Sequence, residues 1–278
     1  MTTTKSHDLQ EVLLVARRAA ERASVIARQQ RESLSVSVSF KDVRNLVTTA
    51  DIACEKVIVD TIKEHYPDHT ILAEESSSSV TPQACTSGPV WVIDPIDGTT
   101  NYAHGHFHVG ISIGFAVDSV AQVGVVAAPF YGEVFSAVRG RGAYLNDTRV
   151  QVSTVSSIDD ALVCTGFPYK RGNIKNICAR LERVVTRCRD LRRLGAASLD
   201  ISWVACGRLD AFYEETLNPW DVVAARLIAH EAGAVFAHFP YDCDSQKVSA
   251  AYSGDLFADN LIVSAPGCLR ELSELLQG

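Results

Sequence analysis

The chain has 278 residues and a mass of 30.2 kDa, which is long enough for a substantial buried core. Hydrophobic residues make up 47% and charged residues 21% of the chain, a balance that excludes an intrinsically disordered protein and fits a globular one. The formal net charge of -7, together with the lack of a dense basic run, argues against a nucleic-acid-binding protein.

The beginning of the chain and its cysteines bear on its location. The segment MTTTKSHDLQ lacks the apolar core of a signal peptide, and no apolar run in the sequence is long enough to cross a bilayer. The eight cysteines include no CxxC pair, so their spacing predicts neither a zinc site nor a compact disulfide framework. These features predict a reduced, cytoplasmic protein that does not associate with membranes.

The N-terminal region combines helical and strand patterns. Apolar residues recur at helical spacing over 9–26, with Asp8 in a capping position before them. Strict alternation over 34–40 predicts a strand or hairpin. A second helix is predicted to begin near Thr49 and to end by Pro67, because proline cannot continue a helix. A serine-rich loop follows at 76–88.

Strands dominate the middle of the chain, and the C-terminal part is mixed. A short buried strand is predicted at 90–93. In the strand at 108–117, large apolar residues alternate with small ones such as Gly110 and Gly114, so that a helix could approach the small-residue face closely. Further strands are predicted near 161–165 and 209–213, and helices near 173–190, 196–206 and 221–232. Blocks of strands separated from helices predict a layered α+β fold.

The stretch WVIDPIDGTTNY, residues 91–102, carries the strongest chemical signal. Two carboxylates as close as those of Asp94 and Asp97 repel each other unless a proton or a cation lies between them. Divalent cations such as Mg²⁺ favour carboxylate ligands and often share them with phosphate. Pro95 predicts a sharp turn. Asp97-Gly98-Thr99-Thr100 has the composition of a turn that opens a helix, whose free N–H groups could bind phosphate oxygens.

Other acidic residues stand at comparable positions. Glu74 follows the apolar pair Ile71-Leu72 and precedes the serine-rich loop, whereas Asp51 and Asp221 stand at predicted helix starts. Taken singly, each of these residues fits a capping or surface role, and an ordinary turn remains an alternative for Asp94 and Asp97. Their joint appearance favours a cation site beside a phosphate-binding turn, and therefore phosphoryl-transfer or hydrolysis chemistry.

Four segments together resemble the inositol monophosphatase family, the lithium-sensitive, magnesium-dependent sugar phosphatases. They are WVIDPIDGTTNY, WDVVAARLIAHEAGA (220–234), AEES (73–76) and LVTTAD (46–51), and the resemblance runs from about residue 9 to 275. It implies a layered α-β-α-β-α sandwich. It also implies a single domain over residues 1–278, with two closely packed lobes at about 1–150 and 151–278.

The resemblance also implies a site that holds two to three Mg²⁺ ions. Glu74, Asp94 and the Ile96 carbonyl would hold one ion. Asp94, Asp97 and Asp221 would hold a second, and Glu74 would also assist a weaker third ion and so take part in catalysis. The remaining implied roles are water activation by Asp51 and Thr99, phosphate binding by the Gly98 and Thr99 backbone, substrate contacts by Gly195, Ala196, Glu214 and Asp221, and a mobile-loop lysine at Lys41.

The reaction implied is hydrolysis of a small phosphorylated polyol, specifically myo-inositol 1-phosphate to myo-inositol and phosphate. Water activated beside the cations would attack directly, without a phosphoenzyme. A homodimer and lithium inhibition are implied as well. Ala73, Phe107 and Val223 depart from the residues usual in the family, which concerns the shape of the pocket rather than the hydrolysis.

Several alternatives accompany this interpretation. A haloacid-dehalogenase-type phosphatase needs aspartates two positions apart, whereas Ile96 stands two after Asp94. Fructose-1,6-bisphosphatase and 3′-phosphoadenosine 5′-phosphate phosphatase belong to the same superfamily. A catalytically silent binding protein could share the fold. His104, His106 and His108 alternate along one predicted strand face, but without a carboxylate or thiolate at matching spacing they favour hydrogen bonding over transition-metal binding.

Overall fold

A computed structural model describes residues 8–32, 38–40, 46–77, 80–168, 174–240, 254–256 and 258–277. The predicted strand at 34–40 is therefore described only at its end, and Lys41 lies outside the described residues. Within these ranges, no helix combines the length and the apolar character needed to cross a bilayer.

The helices are α1 (Leu9–Glu32), α2 (Thr49–His65), α3 (Thr99–Ala103), α4 (Ile174–Val185), α5 (Ala197–Ala205), α6 (Pro219–Glu231) and α7 (Leu269–Gln277). The strands are β1 (Val38–Phe40), β2 (Leu46–Thr48), β3 (Thr70–Ala73), β4 (Pro89–Asp97), β5 (Gly110–Val117), β6 (Val120–Ala128), β7 (Glu133–Val138), β8 (Ala143–Leu145), β9 (Thr148–Val150), β10 (Leu162–Thr165), β11 (Asp190–Arg192), β12 (Ala211–Leu217), β13 (Val235–His238) and β14 (Asp259–Ser264). Short 3₁₀ helices span Pro82–Cys85, Ile158–Asp160 and Gly254–Leu256.

The strands form two large sheets and one small one. The seven-stranded sheet has the order β3-β4-β5-β6-β7-β8-β9, in which only β3 and β4 pair in parallel. The five-stranded sheet has the order β11-β10-β12-β14-β13, with β10 parallel to both of its neighbours. Strands β1 and β2 pair antiparallel as a separate two-stranded sheet.

Three hydrophobic cores separate the layers. Helices α1 and α2 cover the outer face of the seven-stranded sheet, where Trp91 and Phe115 are fully buried. Helices α5 and α6 lie between the two large sheets, and helices α4 and α7 pack against the other side of the five-stranded sheet. This arrangement confirms the predicted α-β-α-β-α sandwich.

The small-residue face predicted for β5 does meet a helix. A Cβ atom built on Gly114 would lie 2.7 Å from Val223 Cγ1 of α6, and one built on Gly124 of β6 would lie 2.5 Å from the Ala224 carbonyl oxygen. The missing side chains therefore let α6 lie almost directly on the sheet. Val223, one of the residues that departs from the family pattern, therefore lies at the contact between α6 and the sheet.

The path of β4 differs from the sequence prediction. The strand continues through Pro95 to Asp97 instead of turning sharply at the proline, and its register against β5 shifts between Asp94 and Asp97. A bulge of this kind accommodates a proline, which has no N–H to donate to the ladder. The turn comes at Gly98, whose φ of 89° is a left-handed conformation that favours glycine.

Candidate active site

The site begins where two parallel strands end side by side. Ala73 of β3 pairs with Ile93 of β4, and the Glu74 N–H donates to the Ile93 carbonyl at 3.1 Å. Glu74 and Asp94, the next residues on the two strands, therefore lie next to each other where the parallel pairing ends. The Asp94 carboxylate accepts a hydrogen bond from the Ile96 N–H at 3.0 Å, which holds it over the bulge.

Asp97 reaches across the molecule to the beginning of α5. Its two carboxylate oxygens accept hydrogen bonds from the Ala197 N–H at 3.2 Å and from the Ser198 N–H at 2.7 Å. The Ser198 hydroxyl donates a further bond at 2.6 Å. Burial raises the pKa of Asp97 to about 6, and these hydrogen bonds oppose the rise because they stabilise the charged form.

The turn after Asp97 packs closely against residues from the second half of the chain. A Cβ atom on Gly98 would lie 3.0 Å from the Gly195 carbonyl oxygen and 3.2 Å from Ala196 Cβ. Asn101 of α3 fixes this approach by donating to the carbonyl oxygens of His108 at 2.8 Å and Leu194 at 2.7 Å. The structure thus brings the predicted phosphate-binding turn next to two of the residues predicted to contact substrate.

Asp51 joins the beginning of α2 to Thr99. One of its oxygens accepts from the Thr48 N–H at 2.8 Å and the Thr48 hydroxyl at 2.5 Å, and the other lies 3.1 Å from Thr99 Oγ1. The Thr99 hydroxyl is also 3.1 Å from the Ile96 carbonyl oxygen. Burial raises the pKa of the fully buried Asp51, although the bonds from Thr48 and Thr99 lower it in part.

Asp221 and Glu214 come from the C-terminal half. Asp221 lies in the first turn of α6, where it accepts hydrogen bonds from the Asn218 N–H at 2.7 Å and the Asn218 side-chain amide at 3.3 Å. Glu214 lies on β12, and its carboxylate packs so closely on Gly166 that a Cβ there would overlap it. Desolvation and the nearby Asp221 raise the pKa of Glu214 well above its ordinary value.

The electrostatics of Asp94 connect these carboxylates. Burial raises its pKa well above the ordinary value, and the acidic groups Glu74, Asp97, Asp221 and Asp51 raise it further. Desolvation, Asp97 and Glu74 likewise raise the pKa of Asp221 well above its ordinary value. Carboxylates concentrated in this way fit a hard divalent cation, which would replace the repulsion with attraction.

The carboxylates are near one another, but they are not arranged as a finished coordination shell. Among the described residues, no three His, Cys, Asp or Glu side chains are gathered closely enough to hold one metal ion. The hydrogen bonds give the physical reason, because Asp51, Asp97 and Asp221 each turn an oxygen toward protein N–H donors. Coulomb repulsion acts at longer range than coordination, so it still couples these groups.

The three histidines do not share one face. His104 and His106 are exposed, whereas His108 is buried and its Nε2 lies 2.7 Å from Asp200 Oδ1. The arrangement agrees with the hydrogen-bonding interpretation for His108, and the exposed and buried histidines do not converge on one point. Lys41, predicted for a mobile loop near the third ion, lies outside the described residues.

Sequence reasoning missed the residues that hold the predicted ones in place. Two of them carry a readable signal, since Thr48 and Asn218 each stand three residues before a site aspartate, as in a helix capping box. Ser198 carries no such signal. Its partner Asp97 is 101 positions away, and only the folded chain brings the two together.

Comparison with known proteins agrees with this architecture. The pattern of the Inositol monophosphatase family matches residues 8–276. The chain is 40% identical to "Nus factor SuhB" of Salmonella typhimurium over 82% of this chain and 85% of that protein. It is 37% identical to "Inositol monophosphatase 1" of Solanum lycopersicum, with 88% and 92% covered.

A solved structure extends the likeness to three dimensions. The inositol monophosphatase from Anabaena (Nostoc) superposes with a TM-score of 0.81 at 33% identity, covering 97% of this chain and 96% of that one. Sequence pattern, relatives and fold all agree over nearly the whole length. The chain belongs to the inositol monophosphatase family.

Proposed function

We propose that this protein hydrolyses phosphate monoesters of small polyols in the presence of Mg²⁺, with myo-inositol 1-phosphate as the preferred substrate. The observation that supports this most strongly is the electrostatic coupling of Asp94 to four other carboxylates beside a left-handed glycine turn. Membership of the inositol monophosphatase family supports phosphatase activity in general.

Five groups would hold the two to three Mg²⁺ ions that we propose: the carboxylates of Glu74, Asp94, Asp97 and Asp221, and the Ile96 carbonyl. Bound Mg²⁺ supplies charge neutralisation at the phosphate and makes nearby water more acidic. Coordination requires the carboxylates to be ionised, so cation binding and proton release are coupled.

The pair Asp51 and Thr99 handles the proton of the attacking water. When the Thr99 hydroxyl donates to Asp51, its oxygen remains available to accept a hydrogen bond from water. The water proton then passes through the hydroxyl to Asp51, whose buried carboxylate has a raised pKa and is therefore a better base than an exposed aspartate. Direct attack by water leaves no phosphoenzyme, so detection of a phosphoaspartate would contradict this mechanism.

Each half of the chain would bind a different part of the substrate. The Gly98 turn and α3 lie where backbone N–H groups could bind the phosphate. Gly195, Ala196, Glu214 and Asp221 come from the other half, and the carboxylate of Glu214 can accept hydrogen bonds from the hydroxyl groups of a polyol. Homodimer formation, lithium inhibition and a cytoplasmic location remain predictions.

A panel of substrates tests the proposal. Phosphate release would be measured from myo-inositol 1-phosphate, fructose 1,6-bisphosphate and 3′-phosphoadenosine 5′-phosphate, with and without Mg²⁺ and Li⁺. We expect Mg²⁺-dependent release that is fastest for the inositol ester. A preference for either of the other two esters would mean that the substrate is that of another member of the superfamily.

The Salmonella relative is named a Nus factor, so the second candidate function is that of a binding protein without catalytic activity. The same panel decides that question. If no ester in it were hydrolysed at any Mg²⁺ concentration, the silent binding protein would be favoured over the enzyme.

A further inference from the structure

Arg193 lies at the site but has no role in the mechanism above. It follows β11 directly, and its side chain is exposed. The guanidinium lies over Gly195, where a Cβ atom would overlap Nη1. Gly195, with a φ of 93°, thus makes room for an arginine that stands beside the predicted substrate pocket.

The guanidinium of Arg193 has no polar partner within the described part of the chain. Besides lying over Gly195, the guanidinium lies over the Phe167 ring, whose centroid is 5.6 Å from Cζ. Its neighbour Arg192, by contrast, pairs with Asp190 at 2.5 Å. Stacking on an aromatic face orients a guanidinium while leaving its N–H donors at the edge free to bind a ligand.

Glu214 lies close enough to Arg193 for the two charges to interact. Burial and Asp221 raise the pKa of Glu214, while the positive charge of Arg193 lowers it and so favours the ionised carboxylate. No ion pair joins the two residues among the described contacts. A donor-only cation and an acceptor-only carboxylate therefore stand near each other with hydrogen-bonding capacity to spare.

The space behind Glu214 cannot accommodate an alcohol. A cavity of about 10 Å³, lined by residues including Thr165, Gly166 and Tyr213, borders this carboxylate. A cavity of that size holds about one water molecule. The alcohol half of a substrate cannot occupy this cavity and must contact Glu214 from outside it.

We propose that Arg193 is a specificity-determining residue that donates hydrogen bonds to hydroxyl oxygens of the substrate while Glu214 accepts from hydroxyl groups of the same alcohol. A hydroxyl group both donates and accepts, so adjacent hydroxyls match this pair of side chains. A second phosphate only accepts and would be repelled by Glu214. The planar fork of arginine spans two neighbouring oxygens, which lysine cannot reproduce. This inference rests on the proposed function, since it assigns the alcohol side of the same site.

The test compares Arg193→Met, Arg193→Lys and the matched control Arg192→Met with the wild-type enzyme. The substrates are myo-inositol 1-phosphate, p-nitrophenyl phosphate, which has no hydroxyl group, and fructose 1,6-bisphosphate. For Arg193→Met we expect KM for the inositol ester to rise about 10- to 100-fold, the effect of one or two charge-assisted hydrogen bonds, with kcat changing less. Arg193→Lys should recover only part of this loss, and Arg192→Met should match the wild type.

Turnover of p-nitrophenyl phosphate by Arg193→Met should stay within about 2-fold of wild type, because that ester offers no hydroxyl groups to bind. An equal loss on both esters, no loss on the inositol ester, or a loss confined to the bisphosphate would overturn the assignment. Wild-type turnover alone reports on the proposed function. If the wild type cleaves p-nitrophenyl phosphate but no polyol ester, the proposed function and this inference both fail; if only the variant comparison fails, the proposed function stands.

Discussion

Three carboxylates of the site are each held by hydrogen-bond donors from nearby residues. Asp51 is held by Thr48, Asp97 by the first residues of α5, and Asp221 by Asn218. Asp94 has one N–H donor and four acidic neighbours. A cation at Asp94 would therefore replace repulsion from four acidic groups with attraction.

Replacing Asp94 by Asn tests this position. We expect kcat for phosphate release to fall by several orders of magnitude, because the amide keeps the size but removes the charge that would bridge two cations. Mg²⁺ binding measured by calorimetry should weaken in parallel. Asp60→Asn, at an exposed residue paired with Lys56 on α2, is the control. Near-normal turnover by Asp94→Asn would show that the site is assigned to the wrong residues.

The raised pKa values also predict how stability depends on pH when divalent cations are removed. The pKa of Asp97 rises from 3.8 to about 6 on folding, so between these values the folded chain binds more protons than the unfolded one. The stability contributed by this group is therefore complete below about pH 4 and is lost as pH rises through about 6. Asp94 and Asp221 shift in the same direction.

In EDTA, the melting temperature should consequently be lowered at pH 8 relative to pH 5 by this cluster, and Mg²⁺ should raise it more at pH 8 than at pH 5. Thermal unfolding at the two pH values, with and without Mg²⁺, measures both effects. The Asp94→Asn variant should show a smaller Mg²⁺ effect. A Mg²⁺ effect that is greater at pH 5 would contradict the prediction.

At the scale of the element, α2 braces two strand ends at once. Asp51 at its beginning reaches Thr99 after β4, and Glu55, one turn later, accepts a hydrogen bond from the Glu75 N–H at 2.9 Å. Glu74 is thereby fixed on both sides, since its own N–H is bonded to Ile93. The helix thus helps to set the direction of Glu74 through the backbone of the residue that follows it.

Glu55 is accordingly predicted to be a positioning residue. Glu55→Leu removes the acceptor and should raise the Mg²⁺ concentration for half-maximal activity about 10-fold, the size usual for groups that orient a metal ligand. Glu55→Gln keeps an acceptor oxygen and should stay close to wild type. Mn²⁺ binding by calorimetry gives a readout apart from activity. If Gln and Leu behaved alike, the charge of Glu55 and not its hydrogen bond would matter.

At the scale of the whole molecule, the sandwich depends on how closely α6 approaches the seven-stranded sheet. Gly124 faces the Ala224 backbone at 2.5 Å, which cannot move without shifting the helix, whereas Gly114 faces the Val223 side chain first and the Ala224 backbone nitrogen only at 3.3 Å. Gly124→Ala should lower the free energy of unfolding by about 1–3 kcal/mol, and Gly114→Ala by less. Urea unfolding of both variants measures the difference. Equal losses would mean that the helix yields as easily as a side chain.

The sequence predicts local features better than distant contacts, and particular residues show why. Periodicity placed α1, α2 and the alternating face of β5 because those patterns depend on residues a few positions apart. The sequence prediction of a sharp turn failed at Pro95, because pairing with β5 keeps the strand extended through a residue that normally ends a strand. The bond between Asp97 and Ser198 has no local signal, since it depends on how two sheets pack.

Helices α2, α5 and α6 all begin beside the carboxylates of Asp51, Asp97 and Asp221. Each helix directs the positive end of its backbone dipole toward the same region, and this potential does not depend on any side chain. The attraction for an anion is therefore built into the path of the main chain. If the proposed function holds, substitutions around the alcohol would change which ester is chosen during evolution while binding of the phosphate persists.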